Sequence, residues 1–401
     1  MTRTVDEYEY ETEHEHEHEH EYDPNPNTNT NTNPTEFDMA DLRFALIGTG
    51  GIALANHLPG INRCPGAAVT ALCDVNPAVV AAASRASGIT RTWTDPFALI
   101  READVDAVII ATPNRVHHGI ALAATKSGRH VLCEKPLAMS LSEALDMTRS
   151  ADAAGVRHMT AFTYRFVPAM RYMRHLVTEG YVGPPWHFRA QRFQDWGRRA
   201  LGWRQQASEA GTGEVGDMLS HRIDYGQSLI GPITRVSAQI KRVWDSRTGA
   251  DGQEYPSDLE DWVGCLATFQ GGATGVLEST KLATGRGEGG RSRDYCEVNG
   301  PEGTLVFELS EPHRLLGSRR EAPQLDVIPV PAAFLGDGLP LDPGVDPLTA
   351  FRWAQNTEFV AAIREGRPAV PSFRDGARAQ AVIDGIMQSA ASDRPVNVEA
   401  V

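Results

Sequence analysis

Leu42-Arg43-Phe44-Ala45-Leu46-Ile47-Gly48-Thr49-Gly50-Gly51-Ile52-Ala53 sets the fold of this 401-residue chain. The first six residues read as a short buried strand that the glycines end. The GxGxxA pattern then opens a helix pattern running through Asn56 and His57. Gly48 permits a tight turn, Gly50 a close backbone approach to a diphosphate, and Ala53 close packing of helix on strand. Thr49, Gly51 and Ile52 complete the loop. Negative charge on a ligand is favoured where such a helix begins.

Working outward, the same rhythm repeats. Ala68–Val75, Ala107–Thr112 and His130–Lys135 read as further apolar strands. Asn76–Ser87, with Pro77 in its first turn, and Ile120–Ser127 read as helices between them. Strands that are apolar throughout and alternate with helices predict a doubly wound parallel sheet, covered on both faces. Ligands of such sheets bind at the carboxyl ends of the strands. Asp74 stands at one such end, where a carboxylate accepts from ribose hydroxyls and repels a 2′-phosphate. With no Lys or Arg in Val75-Asn76-Pro77, NAD is favoured over NADP. Thr112, Pro113, Asn114 and His117 follow the third of these strands, Glu134 and Lys135 the fourth. All are candidate cofactor contacts, although His117 reads equally well as a helix-start residue.

After about residue 160 the pattern changes. A helix is predicted over Pro168–Glu179 and a helical insertion near 214–230. Around them are short, alternating, glycine-separated stretches: 187–193, 236–244, 263–269, 273–280, 295–300 and 303–309. They predict a mostly antiparallel open sheet. Gly317–Asp346, rich in Pro and Gly, reads as loop, and Ala350–Arg364 and Asp375–Ala391 as the last helices. The expected division is a tail (1–38), a nucleotide-binding domain (39–160) and a substrate-binding and oligomerisation domain (161–401).

Charge narrows the function classes. The chain carries −14, but residues 1–38 hold 12 of its 52 acidic groups and 1 of its 38 basic ones. The remainder is close to neutral, which argues against a nucleic-acid partner. No run of about 18 apolar residues predicts a membrane span. The five cysteines, Cys64, Cys73, Cys133, Cys265 and Cys296, lack metal or disulfide spacing. They predict reduced thiols and a cytoplasmic protein. Residues 1–38 are too polar to pack and are expected to be disordered. Their alternating His14, His16, His18 and His20 could bind a transition metal, whereas the rest of the chain shows no ligand set. Met39 reads as a natural start.

Glu134-Lys135-Pro136 after its strand, together with the glycine loop, resembles the Gfo/Idh/MocA family of oxidoreductases from about Leu42 to Val396. The resemblance implies a Rossmann domain followed by an α/β domain with an open sheet, and a homodimer or homotetramer. It implies NAD-dependent oxidation of a secondary alcohol of a sugar, sugar derivative or polyol. The family's third signature is Asp217 and His221, four apart and therefore on one helix face. Lys135, Asp217 and His221 thereby take the catalytic roles: His221 as proton acceptor, Lys135 holding the developing alkoxide, Asp217 orienting or charge-stabilising the substrate and His221. Tyr164 and Arg165, at the expected domain junction, are candidate substrate contacts, as are Gln194, Asp195, Trp196, Trp203 and Arg204, whose stretch is similar to the pyranose-oxidising members. Asp261 reads as a strand-edge residue and Asp375 as a first-turn helix residue. Inositol oxidation, an NAD-using glycosidase and a nonenzymatic dinucleotide or sugar sensor remain as alternatives.

Overall fold

The computed structural model describes residues 42–288, 292–336 and 346–401; the tail, its histidines and Met39 lie outside them. Six strands form an all-parallel sheet: β1 (Leu42–Ile47), β2 (Ala67–Cys73), β3 (Thr92–Trp93), β4 (Ala107–Ile110), β5 (His130–Cys133) and β6 (His158–Thr160). Their order is β3-β2-β1-β4-β5-β6. The winding therefore reverses between β1 and β4, which is where a doubly wound sheet opens its crevice. All of β4 is buried, as its unbroken apolar run requires.

The local chemistry follows the sequence. Asn76 caps the helix Pro77–Ser87, and Gly88 closes it at φ 76°. Gly48 adopts φ 87°, and a Cβ there would stand 2.5 Å from the carbonyl oxygen of Ala111. Glycine is thus required twice over, by backbone angle and by the approach of the β1 turn to the end of β4.

A second, nine-stranded sheet contains β7 (His187–Phe193) and β8 (Ile233–Lys241). A separate two-stranded hairpin, β9 (Ser246–Thr248) and β10 (Glu254–Pro256), follows. The large sheet continues with β11 (Trp262–Phe269), β12 (Thr274–Thr280), β13 (Arg293–Gly300), β14 (Gly303–Glu308), β15 (Arg314–Arg319), β16 (Ala322–Pro329) and β17 (Val396–Asn397). Its order is β16-β15-β14-β13-β7-β12-β11-β8-β17, with β7 and β12 the parallel pair. Helices Pro168–Thr178, Ser220–Leu229 and Phe373–Ser392 share one core with this sheet. On the strands, inward residues alternate with residues such as Leu266, 61% exposed.

Strands β15 and β16 correct the expected loop over Gly317–Asp346, of which residues 337–345 lie outside the described structure. The reason is position. Strand β16 is a sheet edge with six exposed residues in succession, so it carries no apolar alternation, and its Pro329 is tolerated there.

The last helices matter most for the first sheet. Phe359, on the helix Ala354–Arg364, meets Phe44 of β1 at 6.2 Å between ring centroids, in the core on one face. Phe373, Ala377 and Ala381 enter the core on the other face. A boundary at residue 160 separates the strands of the two sheets but not their cores. All five cysteines are buried, and none is in a disulfide among the described residues.

Phe359→Ala should lower unfolding free energy by about 3–5 kcal/mol, the usual cost of emptying a buried aromatic site. Urea unfolding of the variant reads this directly. A loss below about 1 kcal/mol would place the helix outside the first sheet's core.

Candidate active site

A cleft of about 250 Å³ lies at the carboxyl end of the first sheet. Its lining includes Ile52, Asn56, Thr112, Asn114, Lys135, Tyr164, Trp203, Arg204, Asp217 and His221. The glycine loop, the ends of β4 and β5, and the helix over the second sheet therefore meet at one place.

The loop is built to accept a ligand. A Cβ on Gly50 or Gly51 would meet no atom within 4 Å. Thr49 N donates to Asp74 Oδ2 at 3.0 Å, its hydroxyl to the same oxygen at 3.3 Å, and Asn76 N to Oδ1 at 3.0 Å. Asp74 thus fixes the loop from the end of β2, and Thr49 is buried as an internal tie. Nearby, Thr112 Oγ1 and Asn114 Oδ1 are buried without a hydrogen-bond partner among the described residues. Open glycines beside orphaned polar atoms fit a dinucleotide's phosphate and amide groups.

His117 does not line the cleft. Its ring nitrogens face the carbonyl oxygens of Thr112 and Pro136 at 3.0 and 3.1 Å. The buried ring ties together the loops that carry Thr112 and Lys135, and burial lowers its pKa. Pro113 is likewise absent from the cleft's lining. Glu134 turns toward the helical stretch Ala53–His57 after the glycine loop: its Oε1 meets His57 Nε2 at 3.0 Å, while His57 Nδ1 meets Asn356 Oδ1 at 3.0 Å.

Lys135 and Asp217 form the centre. Lys135 Nζ donates to Asp217 Oδ1 at 2.9 Å and to the Asp217 carbonyl at 2.6 Å. Burial pushes the Asp217 carboxyl up, but the cations of Lys135 and Arg204 outweigh it and hold it down at about 2. One turn later, His221 stands edge-on to Tyr164 at 4.4 Å between ring centroids. Burial first, then the charges of Lys135, Arg222 and Arg192, hold its imidazole well below the ordinary 6.5. Its Nδ1 has no partner among the described residues.

Two arginines lie behind this pair. Arg192 reaches Asp294 at 2.9 Å, Arg222 bonds the same carboxylate, and all three are buried. The Arg222 guanidinium sits 5.2 Å from the Tyr164 ring. Glu214 is also buried, with Ser279 Oγ donating to it at 2.5 Å. Burial, reinforced by Asp217, pushes its carboxyl up to about 7.

Several expected substrate contacts lie elsewhere. Arg165 is buried in ion pairs with Asp224, at 2.5 Å, and Asp375, at 3.1 Å. It cross-links two helices, because Asp375 also closes the capping box with Ser372. Trp196 Nε1 donates to Gln194 Oε1 at 3.3 Å, and Asp195 accepts from Gly285 N at 2.8 Å; none of the three lines the cleft. Trp203 and Arg204 do line it, stacked at 4.3 Å. Asp261 is fully buried and pairs with Arg247 and Lys281 at 2.9 and 3.3 Å, so it is not the strand-edge residue expected. Residues the sequence reading missed enter from the C-terminal segment: Phe351, Arg352 and Gln355. They lie some 300 residues from the glycine loop, and no local motif announces them.

Residues 42–162 match the oxidoreductase family with the NAD-binding Rossmann fold, and residues 170–306 match the Gfo/Idh/MocA C-terminal domain. The chain belongs to the Gfo/Idh/MocA oxidoreductase family. Among family members it is similar to levoglucosan dehydrogenase of Pseudarthrobacter phenanthrenivorans, 32% identical over 82% of this chain and 88% of that one. D-apiose dehydrogenase of Paraburkholderia graminis is 27% identical over 89% and 90%. A solved levoglucosan dehydrogenase in complex with NADH and levoglucosan superposes with a TM-score of 0.82. It is 30% identical and covers 90% of this chain and all of its own.

Glu214 supplies a test of the buried charge. Its folded pKa of about 7 lies above the ordinary 4.5, so it stabilises below 4.5 and that contribution is lost as pH rises to about 7. Glu214→Gln should flatten the stability loss across this window in urea unfolding at several pH values. An unchanged slope would mean that Glu214 is ionised at no cost.

Proposed function

We propose that this chain is an NAD-dependent dehydrogenase of a sugar or polyol, acting on a secondary alcohol of a pyranose-like ring. The observation that carries the reading is the Lys135–Asp217 pair at 2.9 Å, with His221 in the same cleft as Ile52, the residue that follows the open glycines. The names of the relatives, levoglucosan dehydrogenase and D-apiose dehydrogenase, support the substrate class. The Asp74 carboxylate at the end of β2 supports NAD over NADP.

Lys135, Asp217 and His221 take the catalytic roles. Lys135, held by two oxygens of Asp217, presents its ammonium to the substrate hydroxyl and stabilises negative charge as it develops there. Asp217 keeps the ammonium in place and stays ionised throughout the neutral range. His221, neutral because it is buried among cations, accepts the hydroxyl proton. Tyr164 packs against the imidazole and fixes its plane. Trp203 and Arg204 give the ring an apolar face and a donor, as a sugar site needs. NAD, when bound, supplies the acceptor for the hydride that leaves the alcohol carbon. Gly48, Gly50, Gly51, Ile52, Thr112 and Asn114 would hold it.

The buried cysteines, none of them in a disulfide, support a cytoplasmic location. The face of the second sheet that carries exposed Leu266 supports self-association as a dimer or tetramer. The separate strand sets of the two sheets support a nucleotide-binding unit ending near residue 160.

NADH absorbance with residues 39–401, NAD and a panel of levoglucosan, glucose, glycosides and inositols tests the reading. A substrate-dependent rise is expected, reduced at least about 100-fold in Lys135→Ala. Absence of any rise across the panel, or full turnover by Lys135→Ala, would overturn it. The pH profile of kcat/KM should keep its acid limb below 6.5, because His221 must be unprotonated and its pKa is lowered. A limb above that value would exclude His221 as the base.

A further inference from the structure

We infer that Arg352 is a cofactor-binding residue: its guanidinium closes over the diphosphate of the dinucleotide from the far end of the chain. The inference rests on the dehydrogenase reading above and adds a contact that no glycine-loop motif contains.

Arg352 lines the same cleft as Ile52 and Asn56, which follow the open glycines. The segment that carries it is pinned to that helix. Asn356 Nδ2 donates to the carbonyl of Asn56 at 3.1 Å, and Asn356 Oδ1 meets His57 Nδ1 at 3.0 Å. Trp353, next to Arg352, lies under the Arg63 guanidinium at 4.3 Å. Ahead of it, Asp346 caps the turn Pro347–Ala350 by accepting from Leu348 N at 3.0 Å. Arg352 is therefore held on both sides in a fixed place against the loop.

Charge then indicates what the residue meets. The two carboxylates of the cleft are already engaged: Asp217 with Lys135 at 2.9 Å, and Glu134 with His57 at 3.0 Å. Arg204 stands 3.9 Å from Asp217. Arg352 has no ion pair or hydrogen bond among the described residues, although it is only half exposed. A partly desolvated guanidinium in the cleft that also holds Ile52 of the glycine loop is suited to bidentate recognition of phosphate oxygens. Beside it, Gln355 Oε1 is buried without a partner, a second polar atom available to the same ligand. An anionic group on the sugar would share this chemistry. The pinning of its segment to the carbonyl of Asn56, five residues beyond Gly51, assigns the contact to the cofactor.

The test is a titration of the full chain and of Arg352→Gln with NADH, ADP-ribose and adenosine, followed by fluorescence and calorimetry. Losing a charge-assisted bond should weaken NADH and ADP-ribose on the order of 10–100-fold and leave adenosine unchanged. Arg352→Lys, keeping charge but not the fork, should fall between. Unaltered melting temperatures would show that both variants fold. Equal NADH and ADP-ribose affinities in wild type and Arg352→Gln would overturn the inference while leaving the dehydrogenase reading intact. So would a defect confined to the KM of an acidic sugar, which would place the guanidinium on the substrate. A wild-type chain that binds no NADH would overturn both.

Discussion

Everything in the cleft depends on one buried contact, the Lys135 ammonium against the carboxylate and carbonyl of Asp217. Lys135 follows the last residues of β5, and Asp217 begins the helical segment lying over the second sheet. The contact therefore joins two separately built layers at a single point. Breaking it from either side would leave an uncompensated buried charge, which costs far more than an exposed pair contributes. Position and charge are set together: the ammonium cannot drift from the sheet edge without abandoning the carboxylate that balances it.

Around this contact the charges are arranged in shells of opposite effect. Lys135 and the Arg192–Asp294–Arg222 cluster surround His221 with more cation than anion. Lys135, together with Arg204 and Lys281, keeps Asp217 ionised despite its burial. Glu214 is instead pushed up to about 7 by burial and by Asp217, against the hydrogen bond from Ser279. Three titratable groups within eight residues thus differ in protonation at neutral pH because of their neighbours, not their intrinsic chemistry.

The parts legible in the sequence are those where local chemistry and long-range geometry coincide. The turn at Gly48 needs a glycine for its own backbone angle and for Ala111, so the motif records both. The i, i+4 spacing of Asp217 and His221 survives because one helix carries both. The placement of Arg165 is not legible for the opposite reason: what holds it is Asp224 and Asp375, 59 and 210 residues away. Asp261 is similar, since its burial arises from Arg247 and Lys281 folding over it. Arg352 and Gln355 carry no motif and reach the cleft only through the packing of Asn356 on Asn56.

The return of Phe359 and Phe373 to opposite faces of the first sheet bears on how the chain is made. All six strands of that sheet leave the ribosome by Thr160, but the residues that seal it are encoded some 200 positions later. At ~5–20 residues per second, the nascent sheet waits on the order of 10–40 s with two apolar seams uncovered. Synthesis order and burial order are thus opposed, and during that interval the half-made chain is a natural client for chaperones that shield apolar surface.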